Sequence, residues 1–175
     1  DMEGAVAWME ASIFGPDTGQ IRAITVSTDG ESWTVARESL ESEVYALDAV
    51  AADEEVESQY AINEIARSFS DLTFENVRPV SVVEEGVLNT KVVAETFDGV
   101  RIVLTLGKEA EQYYGRFKAE YMPPGEPEDS IAKNVKQWNA LWRSREYALP
   151  DYQVESIIVA RENLIKAETE TGAEQ

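Results

Sequence analysis

The stretch "EYALPDYQVES", from Glu146 to Ser156, decides the fold because its elements occur earlier in the same chain. Residues 44 to 58 read "VYALDAVAADEEVES", again with Tyr-Ala-Leu, an Asp soon after it, and then Val-Glu-Ser. Chance can explain any one shared tripeptide. The three matching features also occur in the same order in both stretches. Two explanations account for this order: a catalytic signature that is used twice, or the connection between strand and helix in a repeated structural unit.

An Asp-Gly hairpin pattern precedes each copy. Folding "IRAITVSTDGESWTVAR", residues 21 to 37, about a two-residue turn brings Val26 opposite Trp33 on an apolar face and leaves a polar face of Ser and Thr. Folding "TKVVAETFDGVRIVLTLG", residues 90 to 107, in the same way brings Phe97 opposite Val100. Glu95 then falls opposite Ile102, where it is a charged intruder at the edge of the sheet.

The rest of the chain predicts one more long strand and four helices. Residues 112 to 121 alternate apolar and charged side chains, as in a third strand of a meander, and "MPPGEPED" is too rich in proline to continue it. The predicted helices are residues 4 to 14, a helix capped by Asp53 with Glu54, Glu55 and Glu57 in its first turn, a helix starting at Asp129 or Ser130, and a last helix capped by Asp151.

Together these patterns predict an α+β fold, an antiparallel sheet built from two related β-β-β-α units with helices packed on one face. We divide the chain into a short N-terminal helix and linker (1–19), a first unit (20–80), a second unit (81–166) with an insertion (108–142), and a disordered acidic tail (167–175). The repeat interprets the opening stretch as architecture and directs the search for function to the insertion.

Composition excludes several functions. The formal net charge of −19 repels phosphate backbones and anionic headgroups, so we expect neither nucleic acid nor anionic lipid as a partner. The absence of Cys and His removes disulfides, ordinary zinc sites and the Ser-His-Asp arrangement, and we expect no cofactor or metal. No apolar run reaches the roughly 18 to 20 residues that span a bilayer, so this piece of chain is expected to be soluble.

Aromatic and basic residues are concentrated in and beside the insertion. They form the candidate interaction surface, which consists of Tyr113, Tyr114, Arg116, Lys118, Lys133, Lys136, Trp138, Trp142 and Arg143. As an exposed patch, these residues suit a protein partner. As a core, the same aromatic rings lie where the Trp138 helix covers the meander, and the sequence leaves both interpretations open.

Three segments resemble the bacterial family called domain of unknown function 4340. They are "YAINEIARSFSDLTFENVRPV" (60–80), "TFDGVRIVLTLGK" (96–108) and "WNALWRSREYALPDYQVESIIVARENLIK" (138–166), and the likeness as a whole extends over residues 20 to 166. Members carry a similar helix ending in Leu-x-x-Glu-x-Val, a Phe-Asp-Gly hairpin, and Tyr-x-Leu-Pro-x-Tyr before a last amphipathic helix. The resemblance implies an extracytoplasmic domain behind an N-terminal membrane anchor, associated with gliding-motility-type ABC transport systems. It supplies no catalytic residues.

The function that we predict is a non-enzymatic protein-interaction module of the bacterial envelope, on the periplasmic side and accessory to a transport or motility assembly. Its expected partner is a protein such as an ABC transport component. The chain begins Asp1-Met2 without a signal-peptide pattern, which indicates a piece cut from a longer, anchored protein. One alternative is a small-ligand or glycan-binding domain with an aromatic-lined pocket. A second is a hydrolase using paired carboxylates among Asp48, Asp53, Glu54, Glu55 and Glu57.

Overall fold

A computed structural model describes residues 20–80, 88–122 and 128–166. Its strands are β1 (Ile21–Thr28), β2 (Glu31–Ala36), β3 (Ala46–Leu47), β4 (Asn76–Pro79), β5 (Thr90–Thr96), β6 (Val100–Glu109), β7 (Gln112–Tyr121) and β8 (Arg145–Leu149). Its helices are α1 (Gln59–Ser70), α2 (Asp129–Trp142), α3 (Asp151–Ile157) and α4 (Arg161–Leu164). The predicted helix at residues 4 to 14, the predicted tail and most of the proline-rich loop lie outside the described residues.

All eight strands form one antiparallel sheet in the order β3-β2-β1-β5-β6-β7-β8-β4. The predicted α+β class is therefore confirmed. Strands β1 and β5 join the two predicted units in the middle of the sheet. Strand β4 follows α1 in the chain but pairs with β8 at the far edge, so residues of the first predicted unit complete the sheet of the second. The boundaries of the units stay a prediction.

The first hairpin has the predicted register. Val26 pairs with Trp33 on the buried face, and the Thr25 and Thr34 hydroxyls lie 2.8 Å apart on the other face. Asp29 and Gly30 have φ values of 48° and 84°. Positive φ at both central residues is the signature of the two-residue turn whose twist matches that of the strands.

The predicted register of the second hairpin is wrong by one residue. Thr96, not Phe97, closes the loop, and it accepts a hydrogen bond from the Val100 amide at its hydroxyl oxygen over 3.0 Å. Of the loop residues, only Gly99 has a positive φ, at 90°. This combination is the three-residue loop with a glycine bulge, which needs one left-handed residue instead of two.

The shift decides which side chains face the core. Because side chains alternate along a strand, a slip of one residue exchanges the two faces. Glu95 therefore lies opposite Arg101 and not among apolar residues. It accepts hydrogen bonds from Arg22 at 2.7 Å and from Arg101 at 3.3 Å on the uncovered face. Glu95, which had been predicted to face apolar residues, instead forms ion pairs with Arg22 and Arg101 at the surface.

Helix α1 begins later than predicted. Its N-cap is Ser58, whose hydroxyl accepts a hydrogen bond from the Ala61 amide at 3.2 Å, so the assignment of Asp53 as the cap is wrong. Four apolar residues in and just after the helix are fully buried: Ile62, Ile65, Phe69 and Leu72.

The segment before α1 is extended because it pairs with the C-terminal end of the described chain. Val56 forms an antiparallel bridge with Ile165, and the Lys166 amide donates to the Glu55 carbonyl at 2.8 Å. Glu54, Glu55 and Glu57 consequently precede the helix. The prediction that they occupy its first turn is wrong. This contact between residues more than a hundred positions apart is invisible to a local pattern.

The last predicted helix is two helices, α3 and α4. Between them the Val159 carbonyl accepts a hydrogen bond from the indole N–H of Trp33 at 2.9 Å, which holds the break against β2. Asp151 is the first helical residue, and Pro150 takes the N-cap position that had been assigned to Asp151. Val154, Ile157 and Leu164 are buried.

The core lies between one face of the sheet and the helices. Residues of α1, α2, α3 and α4 belong to a single apolar cluster with the inward side chains of the strands. The other face of the sheet carries charged and β-branched side chains. Helices therefore pack on one face, as predicted.

Candidate functional site

A cleft opens where β7 and β8 diverge. Strand β7 pairs with β8 only at its first residues, Tyr113 to Gly115. Beyond them α2 lies beside β7, and the Asn139 side chain replaces a neighbouring strand: its Oδ1 accepts from the Ala119 amide at 2.7 Å and its Nδ2 donates to the Ala119 carbonyl at 2.8 Å. The wedge between β7, the end of α2 and the start of β8 stays open.

The lining of this cleft is strongly basic. Its volume is about 720 Å³, which lies within the range of roughly 300 to 1,000 Å³ that is usual for ligand pockets. Five lining residues are cations: Arg116, Lys118, Lys136, Arg143 and Arg145. No carboxylate of the described residues is among those that line it. In a chain with a net charge of −19, this is a local reversal of sign.

One stripe of α2 forms a wall of the cleft. Lys136, Asn139, Ala140 and Arg143 are spaced i, i+3, i+4 and i+7 and all line it, Arg143 from the C-cap position. This spacing puts them on one side of the helix. The apolar stripe of α2 packs on the core, and its last residue, Trp142, also lines the cleft. The helix thus presents one face to the core and a neighbouring face to the cleft.

The cations of the cleft differ in how far they are neutralised. Lys118 donates to Glu120 at 2.9 Å, and this hydrogen bond holds the pKa of Glu120 below its usual value. Lys136, Arg143 and Arg145 form no ion pair within 4.0 Å with a carboxylate of the described residues. Within the described part of the chain, the positive charge of the α2 wall is therefore not neutralised by an ion pair.

A buried carboxylate fixes the back of the cleft. Glu146 is 0% exposed and accepts hydrogen bonds from Arg78 Nε at 2.7 Å and from Arg116 Nε at 3.0 Å. Arg78 also donates to Glu109 at 2.8 Å, and its guanidinium lies 3.5 Å from the ring centroid of Tyr114. Two cations compensate the buried charge, and Arg116 is held in place where it lines the cleft.

Charge and burial act in opposite directions on Arg78. Burial alone would lower the pKa of its guanidinium, but the hydrogen bonds to Glu109 and Glu146 outweigh burial and hold that pKa above its ordinary value. Arg78 therefore stays charged, and its hydrogen bond to Glu146 ties β4 to β8.

The structure brings some of the predicted surface residues together and separates others. Those lining the cleft are Arg116, Lys118, Lys136, Trp142 and Arg143. Tyr113 lies under the Lys108 ammonium at 4.9 Å, and Tyr114 lies under Arg78, so both rings belong to neighbouring contacts. Lys133 is exposed on α2 outside the lining, and Trp138 stacks on Trp142 at 6.0 Å.

Sequence reasoning missed Arg145 and the supporting pair of Arg78 and Glu146. All three lie outside residues 108–142, where the search was concentrated. Arg78 faces Glu146 only because β4 pairs with β8 across 68 residues of sequence. The sequence offered one signal for Glu146. Side chains alternate along the strand "REYAL", so Glu146 lies on the face of the sheet opposite to the apolar Tyr147.

The aromatic side chains are mostly core. Phe74, Tyr147, Phe117, Trp142 and Trp138 form a continuous series of ring contacts with centroid distances of 5.3 to 6.0 Å. Trp142 is 2% exposed. These rings pack between the sheet and α2, and two of them, Phe117 and Trp142, also line the cleft. The small-ligand or glycan-binding alternative stays a prediction.

The acids considered for hydrolysis make structural contacts. Asp48 accepts a hydrogen bond from the Thr34 amide at 2.8 Å, Glu54 pairs with Arg161 and Glu55 pairs with Lys166. Within residues 20–80, 88–122 and 128–166, no group of three or more acidic side chains is arranged to hold a metal ion. The hydrolase alternative stays a prediction.

Comparisons with known proteins add no relative. No family model, curated protein or solved structure matches this chain. The resemblance to the domain of unknown function 4340 family therefore rests on the three quoted segments alone. None of the helices in the described part of the chain is long and apolar enough to cross a bilayer.

Proposed function

We propose that this protein is a non-enzymatic interaction module whose basic cleft binds an acidic segment of a protein partner. The observation that carries the proposal is the reversal of charge in the cleft: five cations line it, and those of the α2 wall have no carboxylate partner among the described residues. Complementary charge favours encounter with the right partner and disfavours the wrong one.

The acidic remainder of the molecule supports a specific role for this cleft. A surface with net charge −19 repels acidic partners on average, so an acidic segment gains favourable contacts only where cations are concentrated. Asn139 and the Glu146 network support two sides of the cleft from the fold itself. Supported side chains lose little conformational freedom on binding, which favours affinity.

The envelope location is part of the same proposal. Following the three quoted segments, the module acts on the periplasmic side as an accessory to a transport or motility assembly, and its partner is a component such as a subunit of an ABC transport system. We expect the full-length protein in the membrane fraction of its host, with this domain accessible to protease from the extracytoplasmic side. Protection of the domain in intact spheroplasts would refute this location.

Paired charge reversals test the interaction face. Lys136→Glu with Arg143→Glu removes two unneutralised cations of the cleft, whereas Lys91→Glu with Lys133→Glu makes the same change in net charge at exposed positions outside it. In pull-downs from host extract, the cleft variant is expected to lose a partner that the wild type and the control variant retain. An unchanged set of partners for the cleft variant contradicts the proposal.

A further inference from the structure

An acidic loop lies near the edge of the sheet that is remote from the cleft. It consists of residues 38–44, between β2 and β3, and reads Glu-Ser-Leu-Glu-Ser-Glu-Val. Its three glutamates are exposed, and so are its two large apolar side chains, Leu40 at 50% and Val44 at 55%. Single exposed apolar residues are ordinary on a protein surface, whereas a group of them marks contact with another molecule. The acidic loop is therefore a candidate contact surface.

A buried arginine holds the acidic loop in shape. Arg37 is 8% exposed, and its Nε donates to the Ile21 carbonyl of β1 at 2.9 Å. Its Nη1 donates to the Ser42 carbonyl of the loop at 2.9 Å. Because the guanidinium ties the loop backbone to β1, the loop loses little conformational freedom when its exposed side chains bind.

The charges of the acidic loop match those of the cleft. No ion pair within 4.0 Å joins a cation of the described chain to the loop carboxylates, which are Glu38, Glu41 and Glu43. The cleft has three cations in the same condition, which are Lys136, Arg143 and Arg145. Complementary charges of equal number favour encounter between the two surfaces.

Apolar side chains accompany the charges on both surfaces. Those in the cleft lining are Val80, Phe117, Ala140 and Trp142. Val80 and Ala140 are exposed in the cleft, as Leu40 and Val44 are in the acidic loop. Exposed ion pairs alone contribute little, so a specific contact needs apolar surface between its polar groups as well. The two surfaces supply both.

The acidic loop cannot reach the cleft of its own chain. The loop follows β2 and the cleft lies beside β7, and four strand spacings separate these two strands. At about 4.8 Å each, these spacings amount to roughly 19 Å. Because Arg37 also fixes the loop to β1, contact between the two surfaces requires a second copy of the chain.

We infer that the basic cleft of one copy binds the acidic loop of a second copy, so that the chain associates head to tail. This inference rests on the proposed function, in which the cleft binds an acidic protein segment, and it names the chain itself as a source of that segment. Because the two surfaces differ, a copy at one end of an open assembly keeps an unoccupied cleft. An envelope partner and a further copy compete for that cleft.

Sedimentation velocity at rising protein concentration tests the inference. At about 0.15 M salt the Debye length is roughly 8 Å, so the general repulsion between two acidic molecules is screened more than their direct contacts. The wild type is expected to sediment faster as its concentration rises. A wild type that stays monomeric up to about 1 mM would overturn the inference.

The first variant disables the cleft. Lys136→Glu with Arg143→Glu is expected to weaken self-association about tenfold. Lys91→Glu with Lys133→Glu has the same net charge and is expected to associate like the wild type. Equal weakening by this control would assign the effect to net charge and contradict the inference.

The second variant disables the loop and separates a specific contact from a net-charge effect. Glu41→Gln with Glu43→Gln removes two negative charges, which lowers the general repulsion between copies. Self-association is nevertheless expected to weaken about tenfold, because carboxylates that contact the cleft are lost. Glu155→Gln with Glu162→Gln makes the same change at exposed positions of α3 and α4 and is not expected to weaken it. A loop variant that associates as strongly as this control would refute the proposed contact.

Mixing the two variants identifies the arrangement. Each variant retains the surface that the other has lost, so the mixture combines one intact loop with one intact cleft. It is expected to form dimers with one copy of each variant, at a concentration at which either variant alone is monomeric. A mixture that stays monomeric would exclude the head-to-tail contact. Unchanged thermal melts verify that each variant is folded.

These measurements separate the inference from the proposed function. If the wild type is monomeric but the cleft variant loses a cellular partner other than this chain, the inference is wrong and the proposed function stands. If self-association follows the expected scheme but no other cellular partner is lost, the head-to-tail contact is correct and the proposed envelope partner is wrong.

Discussion

The two Tyr-Ala-Leu segments share a sequence but not a position in the sheet. Ala46 and Leu47 form the edge strand β3, which Tyr45 directly precedes and which pairs only with β2 among the described strands. Residues 147 to 149 belong to β8, which lies between β7 and β4. In both copies the Tyr and the Leu are buried against the helices. The central alanine differs: Ala46 is exposed and Ala148 is only 4% exposed.

This difference shows what a repeated tripeptide can encode. Alternation along a strand sets which side chains turn toward the core, and it is the same in both copies. Burial of the second face depends on a neighbour, and only β8 has β4 as that neighbour. The residue before each tyrosine reflects this, because Val44 is 55% exposed and Glu146 is 0% exposed.

The largest expected effect is at this preceding position. Glu146→Ala leaves Arg78 and Arg116 without their shared buried carboxylate. Because both guanidinium groups are about a third exposed and Arg78 keeps Glu109, the expected cost is that of lost hydrogen bonds to a charged group, about 1.5 to 3 kcal/mol of unfolding free energy. Val44→Ala, at the equivalent exposed position, is expected to stay within about 0.5 kcal/mol. Urea denaturation of both variants measures the difference, and similar costs would mean that the two positions are equivalent after all.

The central alanines should give the next largest difference. Ala148→Val adds two methyl groups where β4 and β7 flank the strand, and overpacking a buried site costs about 1 to 3 kcal/mol. Ala46→Val adds the same groups at an exposed position, and we expect a change within about 0.5 kcal/mol. Thermal melts of the two variants check this prediction, which fails if Ala148→Val melts with the wild type.

The tyrosine hydroxyls should show a smaller effect that favours the first copy. The Tyr45 hydroxyl donates to the buried Ile21 carbonyl, so Tyr45→Phe is expected to cost about 0.5 to 1.5 kcal/mol. The Tyr147 hydroxyl interacts with the exposed Arg145, so Tyr147→Phe should cost less. Denaturant titration of both variants measures the costs, and a larger cost for Tyr147→Phe would contradict this account.

The smallest expected difference concerns alkaline pH. Burial raises the pKa of both Tyr45 and Tyr147 above the ordinary value of about 10. A pKa raised in the folded state means that the contribution to stability is complete below the unfolded pKa and is lost as pH rises through the folded pKa. Stability of the wild type should therefore fall above about pH 10.

Removing both phenols tests this origin. The variant with Tyr45→Phe and Tyr147→Phe is expected to lose stability less steeply above that pH than the wild type does. Tyr60→Phe, at a tyrosine that is 71% exposed, should leave the slope unchanged. An identical slope for the double variant and the wild type would place the alkaline loss in other groups.

Local patterns predicted those parts of the fold that local interactions decide. The first hairpin, the long strand β7 and the start of α2 at Asp129 follow from turn chemistry, alternation and helical period. The second hairpin has the same Asp-Gly dipeptide, but Thr96 supplies a hydroxyl that accepts the Val100 amide and donates to Asp98, and a three-residue loop results. The Asp-Gly dipeptide alone therefore does not predict the loop length, because the length also depends on Thr96.

The candidate site divides in the same way. The cations of α2 and β7 were predicted as one surface, because both elements fall within the insertion. Arg145 and Val80 joined the cleft only through the pairing of β8 with β4, and Trp138 and Trp142 turned out to pack against the meander. Closeness in the sequence therefore predicted correctly that the basic residues of β7 and α2 lie on one surface. It could not show which aromatic rings are exposed and which are packed in the core.

The amino-acid sequence by itself determined the antiparallel α+β class, the inward alternation of β1, β2 and β7 and the two-faced character of α2, because these follow from periods of two and 3.6 residues. Only the tertiary structure decided that β4 crosses to β8, that Glu146 is buried between two arginines and that the cleft opens beside Asn139. Each of these depends on contacts between residues distant in the chain. The free energy of such contacts depends on which elements meet, and no local window of sequence contains that information.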